Sequence, residues 1–215
     1  MDPREAEKRA AAEAAAVEIE DGMTVGLGTG TTVALFLPAL ARRGLDVTCV
    51  STSPETERAA LAVGLRVVAF DSLERLDVAV DGADQIGPDR WLVKGGHGAQ
   101  TREKVVADAA ERFVVIASSD KLVDAIGPPV PLELLGFGLA ATLTRVRGIG
   151  PCELRAADPS PDGNVIADYL GPVADPAELS ARLAAIPGVV EHGLFPPAMV
   201  WKVLVGSPGG GVRTL

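Results

Sequence analysis

Aromatic side chains are scarce in this 215-residue chain, at 4%. The interior therefore has to be filled by Val, Leu, Ile and Ala. Histidine is scarcer still. His97 and His192 are the only two, too few for a histidine-built metal site and without neighbours at ligand spacing. Cys49 and Cys152 are the only cysteines and stand far apart, the usage of a reduced cytoplasmic protein rather than a disulfide scaffold. Cys49 sits in a β-branched run and reads as a core strand residue. Long apolar runs are missing too: the longest, around 31–41 and 134–144, are too short to span a bilayer. There is no basic block. With 20 Lys and Arg against 29 Asp and Glu, the net charge is −9, which argues against nucleic acid or an anionic membrane as partner. Asp2, Glu5, Glu7 and Glu13 make the N-terminus acidic, unlike a secretory or transit leader.

What the chain does have is an ordinary globular composition, 47% hydrophobic and 23% charged, and the length for one large domain or a medium and a small one. Asp2-Pro3-Arg4-Glu5 is a helix start, with Asp2 as cap, Pro3 in first position and Glu5 completing a capping box. The Ala-rich run continues to 19 and Asp21-Gly22 ends it. Short apolar runs then recur at 23–27, 47–50, 67–70, 78–80, 91–93 and 113–117, each closed by a polar or glycine-rich turn. Helical segments at 32–43, 54–63 and 101–112 fall among them. This alternation predicts a parallel sheet in an α/β domain, with ligands beyond the carboxyl ends of its strands. The pattern changes at Pro128-Pro129. Strand 130–135, helix 137–146, strands 152–156 and 164–170, helix 177–186 and strand 189–195 give the order βαββαβ of a ferredoxin-like unit, with Asp162-Gly163-Asn164 at the hairpin. Residues 200–205 are a further apolar strand, returning to the first sheet, and the tail after 206 reads as a turn or loose end. The domains are thus 1–128 with 200–215, and 129–199.

Four strand ends carry candidate chemistry. Gly28-Thr29-Gly30-Thr31-Thr32 leads from a strand into a helix, where backbone N–H groups and hydroxyls suit a phosphate. It has neither the third glycine of a dinucleotide fingerprint nor the lysine of a Walker A loop, and a capped tight turn is the plainer alternative. Asp81-Gly82-Ala83-Asp84 sets two carboxylates three apart, fit for proton exchange with sugar hydroxyls or, more plainly, for an Asx-turn. Lys94-Gly95-Gly96-His97 offers a cation and an oxyanion nest of N–H groups, and Glu103 follows in the first turn of the next helix. A surface salt bridge for Lys94 and a helix-dipole role for Glu103 are the alternatives. Lys121 is a phosphate partner or a solvated turn residue. Taken together, a carboxylate base, a cation and a phosphate cradle are what aldose–ketose isomerisation through an enediolate requires, with no cofactor or metal needed.

At these residues the sequence resembles the type A ribose-5-phosphate isomerase family. The likeness runs through 26–32, 81–84, Lys94-Gly95-Gly96 with Arg102-Glu103-Lys104, 119–121, Gly163-Asn164-Val165-Ile166 with Asp168, and 186–195. The resemblance implies interconversion of D-ribose 5-phosphate and D-ribulose 5-phosphate in the pentose phosphate pathway. It implies a Rossmann-like domain with an inserted α+β domain, assembled as homodimers or homotetramers. Glu103 would be the general base, Asp81 would open the ring and move hydroxyl protons, and Lys94 and Asp84 would line the reacting end. Thr29, Gly30, Thr31, Thr32 and Lys121 would hold the phosphate or nearby hydroxyls, with Gly82, Ala83, Gly95, Gly96 and His97 completing the substrate contacts. Gln85, His97, Gln100 and Leu170 depart from the family's usual Glu, Gly, apolar and polar residues. The alternatives are a catalytically weak sugar-phosphate sensor, which usually carries a DNA-binding module that 1–22 does not supply, and an isomerase of a related sugar phosphate. An amino-sugar-phosphate deaminase is disfavoured by the likeness through the second domain.

Overall fold

The computed structural model describes residues 3–215, apart from the side chains of Pro3 and Ser72; the expected Asp2 cap lies outside the described residues. In chain order the elements are α1 (Pro3–Val17), β1 (Thr24–Leu27), α2 (Thr31–Ala41), β2 (Thr48–Ser51), α3 (Pro54–Ala62), β3 (Arg66–Val67), β4 (Leu76–Asp81), β5 (Gln85–Ile86), β6 (Leu92–Val93), α4 (Gln100–Ala109) and β7 (Ala110–Ser118). There follow β8 (Val130–Leu134), α5 (Leu139–Arg147), β9 (Cys152–Leu154), β10 (Val165–Tyr169), α6 (Pro176–Ala184), β11 (Val189–His192), β12 (Leu194–Phe195), β13 (Lys202–Gly206) and β14 (Val212–Thr214). The chain divides into two compact units. One is built from Met1–Ala83, Arg102–Lys121 and Ala198–Leu215, the other from Asp84–Thr101 and Leu122–Pro197. Compared with the expected 129–199, the second unit also takes in 84–101 and 122–128.

The first, or sheet, unit carries a Rossmann-like α/β sheet of order β14-β13-β7-β4-β1-β2-β3. All neighbours run parallel except β14, which returns antiparallel to β13. Ala11, Ala12, Ala15 and Ala16 are buried on one stripe of α1, so small side chains let the helix lie close to its neighbours. They join Phe36, Leu27, Val25, Val78, Val80, Val114 and Ile116 in one core, where a Phe-to-Ala truncation costs about 3–5 kcal/mol. Ser53 caps α3 by accepting the Thr56 N–H, with Pro54 in first position. Because six strands share one direction, the turns after β1, β2, β4, β7 and β13 line one edge. α4 joins β7 directly, and Val106 from its middle packs so close to β1 that a Cβ on Gly26 would stand 2.4 Å from it.

The second, α+β, unit holds an antiparallel sheet of order β11-β8-β10-β9, with α5 and α6 as the crossovers. This is the 4-1-3-2 order expected of βαββαβ. Its core is Val130, Leu132, Leu134, Leu143, Tyr169 and Leu183. Asp175 caps α6 by accepting the N–H groups of Ala177 and Glu178.

Five local expectations are corrected. The 91–93 strand does not enter the parallel sheet: two residues of it form β6, central in a small antiparallel sheet β12-β6-β5. The 189–195 strand breaks at Gly193, whose N–H turns to Pro131, so β12 can pair with β6. Of the third run only Val67 is strand, in Arg66–Val67, and a single helical turn follows at Phe70–Ser72. α5 starts at Leu139, after Gly138 in the left-handed region (φ 69°), and leaves Phe137 94% exposed. The tail makes the expected turn at 207–211 but then pairs with β13 as β14 rather than ending loose. Among the described residues no helix is long and apolar enough to cross a membrane.

Candidate active site

The expected residues fall in both units. In the sheet unit, β1 is followed by Gly28, whose N–H donates to the Val80 carbonyl at 2.9 Å. A Cβ on Gly28 would stand 1.9 Å from Asp81 Cγ. Only glycine therefore admits the Asp81 carboxylate at this point. Asp81 closes β4 and is 3% exposed. Its Oδ1 accepts the N–H of Thr29 (3.1 Å) and of Gly82 (2.7 Å), fixing the carboxylate by backbone donors.

The loop is held from below by hydroxyls. Thr29 and Thr52 share a hydrogen bond of 2.8 Å, and Thr56 donates to the Gly28 carbonyl at 2.9 Å. Gly30, at φ 121°, then opens α2 with no side-chain cap. The first N–H groups of that helix are thus uncapped by side chains, as an anion cradle requires. Thr32 is buried, whereas Thr31 is exposed and accepts from the Lys8 ammonium at 3.0 Å. Lys8 was not among the expected residues. It lies on α1, 23 positions upstream, and no local pattern points from one to the other.

Glu103 is in the first turn of α4 and 3% exposed. Lys121 ends the single turn Ser119–Lys121 after β7, half-buried. Beside it, the Asp120 carboxyl is held below the usual range. Burial would raise it, but the Ser118 hydroxyl at 2.5 Å, Lys121 and Arg4 together outweigh burial. Glu7, also from α1 and also unforeseen, is buried and accepts the N–H and hydroxyl of Ser119, both at 2.7 Å. Thr29, Asp81 and Gly82 are thus in direct contact, and Lys121 follows the carboxyl end of β7, a strand parallel to β4.

In the α+β unit the Asp84 N–H donates to Val93 at 2.8 Å, and the Asp84 carboxylate accepts the Gly96 N–H at 2.8 Å. The expected nest of glycine N–H groups is therefore partly occupied by Asp84. The reason is proximity: Asp84 Oδ1 would be 2.7 Å from a Cβ on Gly96. Gly95 is required twice over. It has φ 99°, and a Cβ there would meet Gln100 and Pro131 within 2.9 Å. Lys94 is 2% exposed, with its N–H on the Gly193 carbonyl and its ammonium 5.4 Å from the Phe195 ring centroid. It follows β6, so it is not at the end of a parallel strand. His97 is exposed, and its φ is not positive: among the described residues Arg90 is the one non-glycine with positive φ.

Gln85 donates to the Gly127 carbonyl (2.9 Å) and accepts the Gly127 N–H (2.8 Å), a pairing an ionised Glu could only half make. Gln100 is fully buried, with neither amide atom hydrogen-bonded among the described residues. Leu170 is 38% exposed. His192 is a buried core histidine, with Nε2 3.1 Å from the Ser180 hydroxyl and Nδ1 accepting the Leu194 N–H. Cys49 is fully buried in β2, and burial pushes its thiol up to about 11.

Residues 48–210 match the family model of ribose 5-phosphate isomerase A, or phosphoriboisomerase A. The chain belongs to the ribose 5-phosphate isomerase A family. The family's "Ribose-5-phosphate isomerase A" from Rhodopseudomonas palustris (strain HaA2) is 44% identical, over 97% of this chain and 96% of its own length. Among solved structures, the ribose 5-phosphate isomerase A of Methanocaldococcus jannaschii aligns with a TM-score of 0.91 at 36% identity, covering 97% of each chain. A D-ribose-5-phosphate isomerase solved in complex with phospho-erythronic acid aligns at 0.90 and 34% identity, over 97% of this chain and 96% of the other.

Proposed function

We propose that this chain interconverts D-ribose 5-phosphate and D-ribulose 5-phosphate. The observation that carries the reading is the ribose 5-phosphate isomerase A match across 48–210, extended by relatives over nearly the full length. In this reading Asp81 takes and returns hydroxyl protons as the furanose opens. Glu103 removes the proton from C2 of the open aldose as electrons move onto the C1 oxygen, the hydroxyl proton passes from O2 to O1, and Glu103 returns its proton at C1 to give the ketose. Lys94 stabilises the enediolate as negative charge develops, with Asp84 setting the loop that follows it. Thr29, Gly30, Thr31, Thr32 and Lys121 hold the phosphate, and the Lys8–Thr31 contact supports adding Lys8 to that group. Gly82, Ala83, Gly95, Gly96 and His97 line the sugar. A relative solved in complex with phospho-erythronic acid, a four-carbon phosphorylated sugar acid, supports a phosphosugar as the ligand class here.

Finer readings go with this one. The chain works as a homodimer or homotetramer in the cytoplasm, with 1–128 and 200–215 as the α/β catalytic domain and 129–199 as the α+β domain. The test gives purified protein ribose 5-phosphate in D₂O with excess chelator and follows ribulose 5-phosphate by NMR. Turnover with solvent deuterium arriving at C1 is expected. Absence of turnover would overturn the reading. In Glu103→Gln, turnover should fall at least about 10²-fold, the scale of general-base catalysis, with phosphosugar binding kept; near-parental rates would remove Glu103 from the role.

A further inference from the structure

We propose that Arg155, locked by Asp168, is a positioning residue that sets the Gly95–Gly96 and Gly96–His97 peptide planes in the loop after Lys94; this rests on Lys94 acting at the reacting end. Arg155 directly follows β9, and its backbone N–H pairs with Ile166 of β10. Its guanidinium makes a two-point contact with Asp168, Nε to Oδ2 at 3.0 Å and a terminal nitrogen to Oδ1 at 2.5 Å. The remaining terminal nitrogen donates to the carbonyls of both Gly95 (3.0 Å) and Gly96 (3.1 Å). Asp168 neutralises the cation, so Arg155 brings geometry to the loop without competing with Lys94 as a charge. Only a planar fork with several fixed donors does both tasks at once.

The peptide bond is planar and trans, so turning a carbonyl one way turns the next N–H the other way. The Gly95–Gly96 plane is held at both ends, its carbonyl on Arg155 and its N–H on the Asp84 carboxylate. The Gly96–His97 plane has its carbonyl on Arg155, which turns the His97 N–H away from the guanidinium. The Gly95 carbonyl also takes the Gly98 N–H at 3.0 Å, closing the loop on itself. Beyond the loop, Thr101 donates to the buried Glu133 carboxylate, which also receives Ser160 and Asn164 from the β9–β10 connection. The hairpin therefore grips the loop at its glycines, and Glu133 of β8 ties the start of α4 to the same β9–β10 connection. Two adjacent glycines give a loop wide backbone freedom. Arg155 removes that freedom where an error of about 1 Å costs about 10²-fold in rate.

The test compares Arg155→Ala and Arg155→Lys with the parent and with Glu103→Gln in ribose 5-phosphate isomerisation, with thermal unfolding recorded for each. In folded Arg155→Ala, kcat should fall at least about tenfold with KM within about threefold, and millimolar guanidinium should restore part of the rate while methylammonium does not. Arg155→Lys keeps charge and reach but loses the fork, and should show the same split; it decides the matter if Arg155→Ala does not fold. Unchanged kcat in the lysine variant, or a loss in Arg155→Ala that tracks unfolding and ignores guanidinium, would overturn the inference. An active Glu103→Gln would instead indict the site assignment itself.

Discussion

The two units place their reactive groups by different means. In the sheet unit the backbone does it: Asp81 sits at a strand end, its carboxylate takes two main-chain N–H groups, and the missing Cβ of Gly28 makes the room. In the α+β unit side chains do it: Asp84 and Arg155 hold a glycine loop that the small β5–β6–β12 sheet only anchors at its start. Backbone placement comes with the fold and tolerates no bulk. Side-chain placement is specified residue by residue and yields by degrees.

Three substitutions sharpen or break this contrast. Gly28→Ala should have the largest effect, because the new methyl falls on the Asp81 carboxylate. Overpacking of this kind costs about 1–3 kcal/mol in stability, and displacement of Asp81 should lower kcat by about 10²-fold. Full activity at an unchanged melting temperature would mean the backbone is not what places Asp81. Asp77→Asn, at the opposite end of β4, probes the sheet unit away from the chemistry. The Thr24 N–H (2.6 Å) and then its hydroxyl (2.7 Å) hold the Asp77 carboxyl below its usual range, with Arg112 adding to the effect. A lowered pKa contributes stability that is complete above about pH 4, the unfolded value, and is lost as pH falls through the folded one. The variant should lose about 1 kcal/mol at neutral pH in denaturant unfolding, and the gap should close below pH 4. A gap constant into acid would deny the carboxylate its role. Gln85→Glu should matter least: one bond to Gly127 goes, for at most about 1 kcal/mol, with kcat unchanged. A large drop in kcat there would show the loop after Asp84 to be far less forgiving than its clamps suggest.

Much of the sheet unit was legible because β-branched runs closed by polar turns have few other readings, and parallel direction puts those turns on one edge. The βαββαβ order was legible for the same reason. Lys94 was misplaced because a two-residue strand carries no periodicity to show which sheet it joins. Gly193 broke a strand that read as continuous because its N–H is taken by a carbonyl 62 residues upstream. Lys8, Glu7 and Arg155 left no local signal at all. Each acts through a partner at least 23 positions away, and their own surroundings are an Ala-rich helix or an exposed strand end.

The closing hairpin has a practical side. β13 is apolar, Val203 to Val205, and β7 occupies one of its flanks. β14 covers the other with the exposed Val212-Arg213-Thr214, and Leu215 adds two further main-chain bonds to Val203. A chain cut at Gly206 would keep every residue assigned to the chemistry and bare a sticky ribbon edge, inviting other chains to stack onto it. The last nine residues thus cover a strand edge that would otherwise be open, and a tag fused behind them should be spaced so that β14 can still dock.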